Sequence, residues 1–303
     1  MTKGTFAHNL VLGEMKNFSV YGLMILSVLG ICSFGGNVFA RTEEIPSKNY
    51  VLMFHALEYD ARLGDAAEYF LKEVLKPTDS LILFTPQRSY NFSQKTRETT
   101  PLEKLIQVTK DVLRRDISME ASTYKDIIQQ METVVRMLTD ADPTPVKSLI
   151  TQYSQLKENL FAIRKLDGNL FFDLAEMFKQ AQGEKHIIIL YEKRLRVIPN
   201  RQTMERLRAN PDVRLEINEV LEAESSREVM NADTVTQALK DGGVKLHFVY
   251  LHTKVRYGRD MEPKEFSGDI YNVFSKIAKE TGGVVMIASV AETALKEIVG
   301  SPK

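Results

Sequence analysis

Short, unbroken apolar runs recur along the chain at residues 50–54 (Y-V-L-M-F), 79–84 (D-S-L-I-L-F), 186–191 (H-I-I-I-L-Y), 244–251 (V-K-L-H-F-V-Y-L) and 284–288 (V-V-M-I-A). Each is too short for a helix, and continuous rather than alternating apolarity predicts strands buried on both faces. Residues 89–92 predict a short edge strand. Between the runs the apolar spacing changes to three and four. Helices are predicted over residues 63–75, from Pro101 through Leu102, Leu105, Ile106, Val108, Thr109 and Leu113, over 171–180, over about 226–240, over 270–280 and over 291–299. Strand and helix alternate through most of the chain. That order implies an α/β fold of Rossmann-like type, with a mainly parallel sheet covered by helices on both faces.

One segment departs from the alternation. Over residues 118–165 the pattern stays helical and breaks once, at D-A-D-P-T-P (140–145). Before the break Tyr124, Ile127 or Ile128, Met131, Val134 or Val135 and Leu138 step by three and four. After it Val146, Leu149, Tyr153, Leu156, Leu160 and Ile163 continue the step, with Thr144 as the expected N-cap and Pro145 at the first helical position. This predicts an antiparallel helical hairpin, inserted into the fold, whose coiled-coil-like seam packs arm on arm.

The amino-terminal 40 residues have a different character. An apolar core at residues 23–31 follows Lys16 and precedes Val38-Phe39-Ala40. That order predicts a secretory signal, with cleavage expected after Ala40, and a start at Met15 gives the more usual length. Uncleaved, residues 20–39 are long enough to anchor the chain in a membrane. The only cysteine, Cys32, lies in this leader, and Ile31 before it is not the small residue a lipoprotein signal needs. Cleavage therefore leaves a chain without disulfides or thiol catalysis, delivered to a periplasmic or extracellular space. Residues 41–48 form a polar linker carrying Pro46, and residues 49–302 form the folded domain.

The opening strand–loop–helix at residues 49–64 (N-Y-V-L-M-F-H-A-L-E-Y-D-A-R-L-G) and the V-F-S-K-I-A-K-E-T-G-G of residues 273–283, followed by a short strand and a closing helix, resemble a von Willebrand factor type A (VWFA) domain. The resemblance spans residues 49–302, with 118–165 inserted. It implies the fold, and it implies a cation site built from D-x-S-x-S after the first strand, a threonine and a later aspartate. Here His55, Leu57 and Tyr59 stand at the D-x-S-x-S positions, Glu192 stands at the aspartate, and the threonine has no placed counterpart. A hard cation needs oxygen ligands, and His55 with Glu192 is too small a set for structural zinc. The expectation is a degenerate site, with no metal and no cofactor.

No G-x-G-x-x-G, phosphate loop, G-x-S-x-G or H-E-x-x-H motif is present. His186 and His247 fall within strands. His55 and His252 end strands at one sheet edge and, with Glu192, define the alternative of a hydrolase-like enzyme. Cations also gather after the strands: Arg88 with Lys95 and Arg97, then Lys193, Arg194 and Arg196, then Lys254, Arg256 and Arg259. Open α/β sheets place their ligands at this carboxyl edge. The formal net charge is zero, which argues against a general nucleic-acid binder. The function expected is non-catalytic: an exported protein-interaction module that takes an acidic partner or anionic polymer on Arg88, Lys193, Arg194, Arg196, Lys254 and Arg256. A further alternative is a membrane-anchored assembly factor docking through the hairpin.

Overall fold

The computed structural model describes residues 48–140, 145–209, 214, 229–252 and 258–300. The expected leader or anchor, most of the linker, Thr144, Lys254 and Arg256 lie outside the described residues. The first apolar run forms β1 (Lys48–His55), followed by β2 (Ser80–Phe84), β3 (Ser89–Phe92), β4 (Glu184–Glu192), β5 (Leu195–Pro199), β6 (Val244–Leu251), β7 (Met261–Glu265) and β8 (Val285–Ala288). Six of these make one sheet in the order β3-β2-β1-β4-β6-β8, and β5 pairs with β7 in a separate antiparallel ribbon. Within the large sheet only the edge strand β3 runs antiparallel. β1 pairs with β4 along its whole length, from Lys48↔Glu184 to His55↔Tyr191, and β6 aligns Leu251 with Glu192. The carboxyl ends of the three central strands therefore lie side by side.

The described helices are α1 (Ala61–Tyr69, running into a π-helical turn at Phe70–Val74), α2 (Gln94–Thr99), α3 (Leu102–Thr139), α4 (Val146–Arg164), α5 (Gly168–Gln180), α6 (Arg201–Ala209), α7 (Ala232–Asp241), α8 (Gly268–Glu280) and α9 (Ala291–Val299). Side chains alternate across a strand, so β1 feeds two cores. Tyr50, Leu52 and Phe54 join α1, the first half of α3 and α9, whereas Val51 and Met53 join α5, α7 and α8. The expected Rossmann-like architecture is present, including the helical insertion.

Three features differ from the sequence reading. The first hairpin arm is not a separate helix, because α3 runs without interruption for 38 residues, about 57 Å at 1.5 Å per residue. Its first half covers the sheet through Leu105, Ile106, Val112, Leu113 and Ile117, and its second half leaves the sheet to pair with α4. The polar region after β4 contains β5 and α6, and the loop before residue 268 contains β7. Both ribbon strands carry a proline, β5 is interrupted by Arg196 and β7 has mixed charge, so neither shows a long apolar run; proline is tolerated at strand edges. The ribbon and α6 also complete a third core. Val197, Leu207 and Met261 pack with Tyr124, Ile127, Met131 and Val134 of α3 and with Leu149, Tyr153 and Leu156 of α4.

Candidate functional site

Leu57, in the loop after β1, belongs to that third core. The hairpin and ribbon thus pack directly against the carboxyl edge of the sheet, where the candidate residues were expected. Glu192, at the end of β4, is buried and turns toward the β1–α1 loop. Its Oε2 accepts the backbone N–H of Leu57 at 2.6 Å and of Glu58 at 3.1 Å. Lys125 on α3 adds a 3.8 Å ion pair to Glu58 from above. The carboxylate best placed to face a ligand is instead a tie between two strand-end loops.

His55 is turned inward as well. Its Nε2 lies 3.3 Å from the carbonyl of Arg164, and a carbonyl only accepts, so the Nε2–H tautomer is fixed. The Tyr191 hydroxyl donates to the same carbonyl at 3.0 Å. Burial pulls the His55 pKa down to about 3, with the Arg194 guanidinium adding to the effect, and burial pushes Tyr191 up to about 12. Both rings therefore stay neutral near pH 7. The Arg164 side chain folds back between Phe161 and Phe266, at 4.6 and 5.3 Å from their ring centroids. From there it donates to the Phe266 carbonyl and to Asp269 Oδ1 at 2.5 Å. The last turn of α4 is consequently fastened to β1, β4 and the start of α8.

Tyr59, the third degenerate position, packs toward α1 and α3. Arg114 lies over its ring at 5.4 Å, and a Cβ at position 64 would come within 2.7 Å of its hydroxyl, so Gly64 makes room for it. Leu57 offers no ligand atom, and His55 and Glu192 are engaged by backbone groups. These residues do not fit a hard cation, and among the described residues no group of three or more His, Cys, Asp or Glu side chains is placed to hold a metal ion. Nor does the geometry join His55, His252 and Glu192, because His252 is exposed while the other two bond inward.

The basic set divides. Arg194 is 1% exposed. Its guanidinium stacks on Tyr191 at 5.3 Å and donates from Nη2 to the His55 carbonyl at 3.2 Å, leaving Nε and Nη1 buried without partners among the described atoms. Its backbone N–H donates to Ser267 Oγ at 2.9 Å. Tyr250 gives its one proton to Glu265 at 2.7 Å, so Ser267 in turn donates to the Tyr250 oxygen at 2.6 Å. Arg196 is also buried and lines a small pocket inside the third core with Tyr153, Lys157 and Phe266. Neither arginine presents a surface charge, which corrects the expectation for both. Lys193 pairs with Glu265 at 2.5 Å, and Arg88 is half-buried, 3.9 Å from the fully buried Asp116. Arg97 lies at the opposite end of the sheet, donating to the carbonyls of Lys76, Pro77 and Asp79 before β2.

Sequence reasoning did not find Arg164, Tyr191, Tyr250 or Ser267, whose contacts shape this edge. Nothing local marks them, because their hydrogen-bond partners are distant in the chain. Neither a protein-family model nor a curated protein matches the sequence. What the chain defines by itself is an α/β domain whose strand-end edge is closed over by its own insertion.

Proposed function

We propose that this chain is an exported, VWFA-like protein-interaction module that works without a metal and without catalysis. The element order and the six-stranded, mainly parallel sheet support the VWFA-like reading. The observation that carries the functional reading is the inward turn of Glu192, whose carboxylate holds two backbone N–H groups instead of facing solvent. A hydrolase based on His55, His252 and Glu192 is disfavoured by the same geometry, since a general base must reach its substrate's proton.

The binding surface is the rim around the closed edge. Arg88 and Lys193, with Lys254 and Arg256 that follow β6 in the sequence, engage an acidic protein partner, and guanidinium forks can grip carboxylates without a bridging cation. Arg194 and Arg196 take no part, being interior. The test is capture from an extract of the native host by wild type and by Lys254→Glu/Arg256→Glu. A partner held by wild type at low salt, released as salt rises and not held by the double variant supports the proposal, because exposed charges are screened over about 10 Å at 0.1 M salt. A partner held equally by both across the salt range contradicts it.

A further inference from the structure

At the amino end of the same sheet, two histidines meet across neighbouring strands. His186 on β4 and His247 on β6 lie 3.1 Å apart from Nδ1 to Nε2, with their ring planes 23° from parallel. His247 Nδ1 is 3.2 Å from the backbone nitrogen of Val284, and His186 Nε2 is 3.1 Å from Glu184 Oε2. A backbone N–H only donates, and this fixes every proton along the line. His247 Nδ1 must accept from Val284, so its proton sits on Nε2. That proton is donated to His186 Nδ1, so the His186 proton sits on Nε2 and is donated to Glu184. Both rings are neutral, and each ring nitrogen has one partner.

We propose that the His186–His247 pair is a proton-sensitive latch holding the start of the edge strand β8. One added proton has no place in this line. On His247 Nδ1 it confronts the Val284 N–H directly. On His186 Nδ1 it forces His247 to accept through Nε2, moving the His247 proton to Nδ1 with the same result. Either way the Val284 bond is lost. Protonation of Glu184 has no such effect, because a carboxyl group still offers an oxygen to His186.

The surroundings favour the neutral line. The charged groups that act on the rings are Glu184 on β4, which favours a proton on His186, and Lys48 on β1 and Lys245 on β6, which oppose one. Tyr50 on β1 stacks on His186 at 5.4 Å and is itself covered by Phe70 at 5.0 Å, at the end of α1. Burial, then His186 and Lys245, pull His247 down to about 3, and burial also lowers His186.

What the latch holds is marginal. Among the described residues β8 pairs only with β6, over four residues, and enters through Gly282 at φ +75° and through Gly283, where a Cβ would sit 1.7 Å from the Leu246 carbonyl oxygen. Val284 and Ile287 are exposed apolar side chains on this uncharged edge. Loosening Val284, the residue that leads into β8, weakens the hold on an edge strand whose outer side has unpaired backbone groups, a template for pairing with another chain.

The test is amide hydrogen exchange of Val284 in the whole protein, corrected for the intrinsic pH dependence of exchange. In wild type the protection should fall about tenfold per pH unit below about pH 6.5, as expected for an opening that takes up one proton. Val249, within β6, should not follow it, which separates local from global opening. In His247→Asn the amide oxygen offers Val284 an acceptor that does not titrate, so protection should hold through the same range. Flat protection in wild type, or an equal fall in His247→Asn, overturns the latch. Ring nitrogen-15 shifts of wild type give an independent reading: both rings should carry the proton on Nε2 at neutral pH, and a proton on Nδ1 of His247 refutes the assignment.

Discussion

Glu192 and Leu57, 135 positions apart, are joined by a 2.6 Å hydrogen bond from the Leu57 backbone N–H to a buried carboxylate oxygen. The same oxygen takes the next N–H, from Glu58. The first strand-end loop is thereby held in one conformation by the fourth strand. Glu192→Ala leaves both donors without that acceptor and should cost about 2–3 kcal/mol, the range for unsatisfied buried groups. For a domain of this size that is a loss of roughly 4–10 °C in Tm. Glu192→Gln keeps an oxygen in place and should lose less than half as much. Thermal unfolding of the two variants checks this, and equal losses would speak against the tie.

Arg164 fastens the insertion to the sheet. Its guanidinium is buried between two phenylalanine rings and bonds Asp269 and the Phe266 carbonyl. Arg164→Ala removes all of these contacts, and the expected cost is about 2–3 kcal/mol, below the value for a fully buried pair because Asp269 is 40% exposed. Lysine cannot reproduce a planar fork, so Arg164→Lys should recover only part of it. Urea midpoints measure both, and a midpoint for Arg164→Ala close to wild type would show that the hairpin is held by its apolar core alone.

Three buried histidines set the acid side of stability. His55, His186 and His247 all have folded-state pKa values below the ordinary one, chiefly through burial. The unfolded chain therefore binds more protons than the folded chain below about pH 6.5. The contribution of His55 and His247 is constant above that pH and is lost progressively toward pH 3, by about 1.4 kcal/mol per pH unit for each fully neutral ring, and His186 acts in the same direction. Unfolding midpoints in denaturant between pH 7.5 and 4.5 should fall steadily on the acid side. Replacement of His55 by Gln, which keeps an N–H for the Arg164 carbonyl, should reduce that slope by close to one ring's share. An unchanged slope in His55→Gln would show that His55 is not held neutral.

The strands and the layer order were legible because continuous apolar runs have few other solutions; β3 and α9 occupy the positions read from sequence. The hairpin was legible from its seam, which packs arm on arm as Met131, Val135, Leu149 and Leu156 require. The continuity of α3 was not, because a helix that changes partners midway keeps the same period throughout. The site was legible in position but not in direction. Arg194 reads as loop charge after a strand, yet its side chain turns in to a carbonyl 139 positions away. Glu192 reads as a surviving ligand, yet its acceptors' partners are backbone N–H groups that no side-chain pattern records.

The central claim is that this carboxylate is a structural tie and not a cation ligand. Titration of the native protein with magnesium or manganese to millimolar concentration, read by thermal unfolding together with amide exchange at Leu57 and Glu58, tests it directly. A ligand that binds only the native state raises Tm with its concentration. The account predicts no change in Tm and Leu57 and Glu58 amides that stay protected throughout. A rise in Tm with metal, accompanied by release of those two amides and abolished by Glu192→Ala, would contradict it.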